Sequence, residues 1–321
     1  MVLKTVFAFK KQFHNNLNNM KSVIFLLSLF ICFISCKSSD SAVLSNEPYG
    51  AISFVTNRDG NFEIYIMDTK GFNLKNISKH DSLDYGSSWS PNNNQIAAYS
   101  KRTGSTEIYL YNIDGSEPIR LTNNDYEDVL PNISPNGKHI VFMSNRNSKS
   151  RSVFTMDIDG SNVKKLTDNE YYEESPSWSP NGKQIIFTRQ LRDKNDTTHA
   201  ANGEIFIMDS DGSNVKRLTN KVGYDSGSVF SPNGKQIAFY GNNEEKWDIY
   251  IMNSDGSELT NLTNETIECY SPSWSPDGKW IVYTAGEKNN YDLWLINVKT
   301  KEKRQLTKTT YRNEHPTWSY N

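Results

Sequence analysis

Three cysteines in 321 residues are too few to staple a domain together. Cys32 and Cys36 lie in and at the end of an apolar N-terminal segment set apart from the body, which leaves Cys269 without an intrachain partner, so the body must be held by packing even in an oxidising compartment. No apolar run reaches the roughly 18 residues of a membrane-spanning helix; the run from Val23 to Ile34 stops short. Charge of one sign is missing too: 35 Lys and Arg face 37 Asp and Glu, a net −2 that gives no electrostatic reason to bind nucleic acid. Histidine is scarce, at five. What the chain does have is 7 Trp, 17 Tyr and 15 Phe set among Ser, Asn and Gly, which suits short strands and tight turns and predicts an all-β protein.

The N-terminus reads as an address. Lys21, the apolar run Val23 to Ile34, then Ser35 and Cys36 give the charged, apolar and small-residue order of a secretory signal. Phe33-Ile34-Ser35-Cys36 resembles the lipobox of bacterial lipoproteins, with Phe33 where Leu is usual. The resemblance implies cleavage before Cys36 and acylation of its thiol, giving a membrane anchor; an ordinary signal peptide with an incidental Cys is the alternative, and either one exports the protein. Met20 directly before Lys21 makes a compact signal, so residues 1–19 are set aside as a possible upstream extension. The expected organisation is a signal over 1–36, a flexible tether over 37–47, which has no period, and one body over 48–321.

That body is a repeat. Trp178-Ser-Pro-Asn-Gly-Lys-Gln-Ile-Ile-Phe187, then Glu204-Ile-Phe-Ile-Met-Asp209, then Asp211-Gly-Ser213, then Arg217-Leu-Thr219 is a phrase whose first position recurs at Trp89, Ile133, Trp178, Phe230, Trp274 and Trp318. The separations of 44, 45, 52, 44 and 44 residues are the period of a propeller blade. Each phrase predicts four strands: Pro-Ser-Trp-Ser opens the innermost, Gln-Ile-Ile-Phe is the second, Glu-Ile-Phe-Ile-Met the third and Lys-Arg-Leu-Thr the fourth. Ser-Pro-Asn-Gly and Asp-Gly-Ser supply the tight turns. The first strand met, Ala51 to Thr56, is a second strand lacking a first, while His315-Pro-Thr-Trp-Ser319 is a first strand with nothing after it. Each completes the other, so the expectation is a six-bladed β-propeller of four-stranded antiparallel blades closed by its C-terminal strand.

Pro272-Ser-Trp-Ser-Pro-Asp-Gly-Lys279, together with Asn57-Arg-Asp-Gly60 and Glu63-Ile-Tyr65, resembles the WD-like repeats of the TolB-type six-bladed propellers of the Gram-negative cell envelope, from about residue 48 onward. The expected organisation has no counterpart of the α/β domain that precedes the propeller in that family. The resemblance implies an envelope location, periplasmic or at the outer membrane, and a channel that can hold calcium.

Candidate site residues follow from the position of the loops around the channel. Five residues before each phrase stand Asp84, Asp128, Glu173, Asp225, Cys269 and Asn313; four carboxylates on one face suit calcium or a cationic partner group, and turn capping is the plainer reading. Tyr85, Tyr126, Tyr172, Tyr224, Tyr270 and Tyr311 crowd the same loops as stiff recognition surfaces, or as packing between blades. Arg189 to Gly203, with Arg192, Asp193, Lys194, Asp196 and His199, is an insertion between the second and third strands of its blade. Asp157-Ile-Asp-Gly160 and Asp209-Ser-Asp-Gly212 are read as turns rather than calcium loops. Cys269 has no catalytic partnership in the sequence.

The resulting expectation is a non-enzymatic, lipid-anchored monomeric propeller that needs no cofactor and binds an envelope protein segment or glycan, and no nucleic acid, at its channel face. A hydrolase would need a further domain with a Gly-x-Ser-x-Gly elbow. The alternative is a metal-dependent polysaccharide lyase or another carbohydrate-active enzyme using His80, His199 and His315, with His139 placed at a strand start.

Overall fold

A computed structural model describes residues 47–146, 150–191, 202–242 and 246–320. Six four-stranded antiparallel sheets account for all the described regular structure. In the fourth blade the strands are Tyr172–Trp178, Gln184–Leu191, Asn202–Asp209 and Lys216–Arg217, in that order from the axis outward. The first blade takes its innermost strand from the far end of the chain: Asn313–Trp318 pairs antiparallel with Ala51–Thr56, matching Ile52 to Trp318 and Thr56 to Asn313. The predicted closure is therefore present. Among the described residues no helix is long and apolar enough to cross a membrane.

The core lies between blades, because each sheet is apolar on both faces. Six clusters of buried side chains fill the six gaps between neighbouring blades. Ile64, Ala98 and Tyr109 join the first and second blades. Trp280, Val282 and Leu293 meet Ile52, Phe54 and Trp318 where the sixth meets the first. That last cluster makes closure a packing event as well as a hydrogen-bonded one.

The turns behave as their residues require. In the fourth blade Ser179 accepts the Gly182 amide on its carbonyl at 2.8 Å and the Gln184 amide on its hydroxyl at 2.9 Å, and Gly182 sits at φ +67. In the second blade the same position is Asn93, at φ +56, a residue that tolerates the left-handed region. Asp159 accepts the Ser161 amide and hydroxyl, and Asp157 accepts the Asn162 amide group at 2.6 Å, so the Asp-x-Asp-Gly sequence is spent on a turn.

The innermost strands differ from the expectation. They begin three or four residues before the Pro-Ser-Trp-Ser positions and end on the aromatic residue instead of running past it: Asp84–Trp89, Asp128–Ile133, Tyr172–Trp178, Asp225–Phe230, Glu268–Trp274 and Asn313–Trp318. Each carries a bulge, at which Gly86, Leu130, Ser175, Gly227, Ser271 and His315 all adopt positive φ between +49 and +65. Four of the six are not glycine. At Gly227 a Cβ would lie 2.4 Å from the Tyr240 ring, so this position has no room for a side chain. The strands' starts gather at one end of the channel and their Trp ends at the other, giving a tyrosine mouth and a tryptophan mouth. The expected insertion is also redrawn: Arg189 to Leu191 and Asn202 to Gly203 extend the flanking strands. Arg192, Asp193, Lys194, Asp196 and His199 lie outside the described residues, as do Cys36 and residues 37–46 of the expected tether.

Candidate functional site

The acids picked out by spacing are strand residues, fully buried, and each is held by groups of its own neighbourhood. Asp84 accepts Arg102 at 3.2 Å and the Tyr111 hydroxyl at 2.7 Å. Asp128 accepts Arg146 at 2.6 Å and Asn124 at 2.7 Å. Glu173 accepts Arg189 at 2.6 Å and the Thr167 hydroxyl, while Asp225 faces Lys221 at 2.7 Å. Asn313 accepts Arg58 at 3.2 Å. Cys269 is buried where an acid would otherwise stand, and burial pushes its thiol up to about 12, which leaves it unreactive. A second set of buried acids stands near the start of the third strands; Glu107, Glu204, Asp248 and Asp292 each accept the hydroxyl of a threonine two residues beyond the fourth strand. Most of these groups pair within the walls, although Asp128 Oδ1 and both Asp225 oxygens have no hydrogen-bond partner. Among the described residues no three His, Cys, Asp or Glu side chains gather as a metal would need. As a donor set for calcium, four carboxylates that each already hold a base do not fit.

Asp225 is the least well compensated of the set. Burial raises its carboxyl to about 6, although Lys221 pulls the other way. A folded-state value above the unfolded one of about 3.9 means that the charged form costs folding free energy, so stability is highest below that value and is lost as pH rises through 6. Asp225→Asn should therefore gain on the parent by about 2 to 3 kcal/mol between pH 4 and pH 7. Urea unfolding of both proteins at the two pH values checks this, and a variant that loses ground over the range contradicts it.

The six tyrosines named from the sequence fall into separate places. Tyr85, Tyr224 and Tyr270 stand at the tyrosine mouth, half-buried, in an arc of rings. Tyr224 meets Trp247 at 5.9 Å, Trp247 meets Tyr240 and Tyr270 at 5.5 and 5.6 Å, and Tyr270 meets Tyr291 at 5.9 Å. The Arg312 guanidinium lies 5.3 Å from the Tyr291 ring centre and 5.5 Å from that of Phe62, and Phe62 leads on to Tyr85 at 5.6 Å. Tyr85 in turn meets the His315 ring at 4.9 Å. Tyr172 stands apart from the arc, accepting Arg151 at 2.7 Å, and Tyr126 and Tyr311 are exposed, each two residues before an innermost strand.

Carboxylates hold this arc in place. Tyr85 donates to Glu314 at 2.8 Å, Tyr224 to Glu174 at 2.5 Å and Tyr291 to Glu268 at 3.1 Å. Burial is the first cause raising all these phenols above their ordinary range, and Tyr240 is pushed up to about 12, so they stay protonated donors. Arg312 pairs with Glu314 at 2.7 Å. Between the rings is a cavity of about 220 Å³ whose lining includes Tyr85, Tyr240, Tyr270, Arg312, Glu314 and His315. Burial lowers the His315 imidazole below its usual value, favouring the neutral ring.

Sequence reasoning missed Trp247, Tyr291, Arg312 and the three glutamates. The signal was present one residue away: where the buried position is acidic or its substitute, a neighbour in sequence carries the mouth. Of the three histidines proposed as metal ligands, His315 lines this cavity. His80 accepts the Ser82 amide on Nδ1 at 3.0 Å within its own loop. His139 is on the surface, 3.0 Å from Asp157.

Comparisons with known proteins agree with this architecture. The family model described as the TolB beta propeller domain matches residues 47–200 and 195–321. A search of curated proteins returns no match. Among solved structures, TolB from Acinetobacter baumannii is 24% identical with a TM-score of 0.73, over 85% of this chain and 67% of that one. An oligogalacturonate lyase in complex with manganese is 13% identical with a TM-score of 0.56, over 80% and 73%. A propeller in a nidogen/laminin complex is 15% identical with a TM-score of 0.65, over 84% and 97%. At these identities the likeness is one of fold.

Proposed function

This chain belongs to the TolB β-propeller domain family, and from that premise we propose that it is a non-enzymatic binding module of the cell envelope that takes a segment of a partner protein at its tyrosine mouth. The observation that carries the reading is the arc of half-buried rings from Tyr224 to Tyr85, closed by Arg312 and fixed by Glu174, Glu268 and Glu314. Rigid aromatic surfaces with a charged pair at their centre are what protein recognition sites use: large contact area, little side-chain entropy to lose, and a polar handle for register. The nidogen/laminin structure shows a propeller of similar fold engaged with a protein. Export and anchoring through acylated Cys36 complete the proposal and would place the module on a membrane.

A lyase reading has less support, because the two described candidate histidines make separate local contacts and Cys269 is inert. The test is retention of envelope proteins from detergent extracts by immobilised parent, Tyr270→Ala and Arg312→Ala. Parent should retain a partner that both variants lose by at least about tenfold, the equivalent of 1.4 kcal/mol. Equal retention by all three rejects the mouth. Cleavage of oligogalacturonate with added manganese would instead favour the enzyme.

A further inference from the structure

The opposite end of the channel is a second, chemically different cavity. It has a volume of about 460 Å³, within the range of small-molecule sites, and all six blades reach it. Four tryptophans, four prolines and six serines are among its lining residues, and no acidic or basic residue is. This absence of charge contrasts with Arg312, Glu314 and His315 at the tyrosine mouth. A charged ligand would be stripped of water here with nothing to compensate it. A wholly apolar one would strand the serine hydroxyls.

The ring of indoles is broken at one point. Trp89 donates from Nε1 to the Thr317 carbonyl at 3.1 Å, Trp274 to Val229 at 3.3 Å and Trp318 to Tyr49 at 2.7 Å. All three are buried, at 3 to 6% exposure. Trp178 is only half-buried, and its Nε1 has no hydrogen-bond partner. On the next blade Phe230 occupies the matching position and is half-buried as well. The fourth and fifth blades thus present two partly open aromatic faces to a cavity walled by hydroxyls, while the unpartnered Trp178 Nε1 is itself buried.

We propose that the tryptophan mouth is a binding site for a neutral saccharide, with Trp178 and Phe230 as the stacking surfaces and the serine hydroxyls of the wall as partners for the sugar hydroxyls. A sugar ring carries C–H groups on its faces and hydroxyls at its edge, which suits aromatic faces beside serines. A serine hydroxyl donates and accepts at one atom, as a sugar hydroxyl does. An uncharged peptide fits less well: the prolines of the rim have no N–H to offer its carbonyls. This site is separate from the tyrosine mouth, and neither depends on the other.

The full chain carrying ¹⁵N-labelled tryptophan is titrated with cellotetraose, maltotetraose and chitotetraose, with trigalacturonate, and with an uncharged proline-rich peptide, and the indole N–H resonances are followed. At least one neutral saccharide should move the Trp178 signal, identified by its disappearance in Trp178→Phe, while the Trp89, Trp274 and Trp318 signals stay within their three backbone-bonded positions. Trp178→Ala should weaken that saccharide at least tenfold, a loss of about 1.4 kcal/mol, and Trp178→Phe, which keeps an aromatic face and the fold, should weaken it less. Three results overturn the proposal: no shift with any neutral saccharide at roughly 10 mM, well above a millimolar dissociation constant; a shift with trigalacturonate as large as with the neutral sugars; or a shift with the peptide alone.

Discussion

Ending the chain at Arg312 should abolish the folded propeller. The nine residues removed include the innermost strand of the first blade, and with it the pairing of Asn313–Trp318 to Ala51–Thr56. Trp318, 6% exposed, leaves the cluster that joins the sixth blade to the first, and its indole no longer donates to the Tyr49 carbonyl at 2.7 Å. The Ser319 amide also gives up the Ala51 carbonyl at 2.9 Å. Truncating one buried Trp to Ala costs about 3–5 kcal/mol. The whole stability of a domain is about 5–15 kcal/mol. A strand that carries this Trp and a full set of ladder bonds therefore exceeds what the fold can lose, whereas Trp318→Ala alone should leave a folded protein weakened by about 3–5 kcal/mol. Circular dichroism melting of the parent, the point variant and the truncation separates these outcomes. A cooperative melt in the truncated chain would show that five complete blades and a three-stranded one are self-sufficient.

Asp84→Ala should be the most damaging exchange among the four acids that spacing placed on the channel face, and its damage should be to stability. It leaves the Arg102 guanidinium and the buried Tyr111 hydroxyl without their acceptor. Removing one partner of a buried pair costs about 3–5 kcal/mol, because an uncompensated charge remains in the wall. Replacing both partners is much milder, so Asp84→Ala with Arg102→Leu should recover much of the loss. The protein contains its own case with both partners replaced: in the sixth blade Cys269 stands where the acid would be, opposite Ala285, and Glu287 stands eighteen residues on, where the arginine would be. Denaturant unfolding of the single and double variants measures the coupling. Equal losses in the two would mean that Arg102 does not depend on Asp84.

Much of the fold is legible in the sequence because its signals are local. The Trp-Ser-Pro-Asn-Gly phrases fix turns through proline and left-handed residues, and their spacing fixes the blade count. The unpaired strand at each end points to closure. The start of the innermost strand is hidden because that strand borders the channel and carries a bulge. In Asp84-Tyr-Gly-Ser-Ser-Trp89 the polar residues and the positive φ of Gly86 break the two-residue alternation that marks a strand.

The site is legible only in outline. Spacing locates Asp84 and Tyr85 together, yet gives no direction for either side chain. The first turns into the wall towards Arg102, eighteen residues on, and the second turns to the mouth. The same separation links Asp128 to Arg146, so a paired Asp and Arg at a fixed distance was the available sign of a structural role. Arg312 escaped notice because its two aromatic neighbours, Phe62 and Tyr291, come from opposite ends of the chain.

The central claim is that the tyrosine mouth is the surface on which a partner protein sits. Site-specific photo-cross-linking tests it most directly, with benzoylphenylalanine placed at position 270 in the aromatic arc and, separately, at position 235, where exposed Lys235 lies in a turn at the other end of the molecule. After irradiation in intact envelopes, position 270 should yield one discrete protein adduct and position 235 none. No adduct at 270, or the same adducts at both positions, would contradict the account.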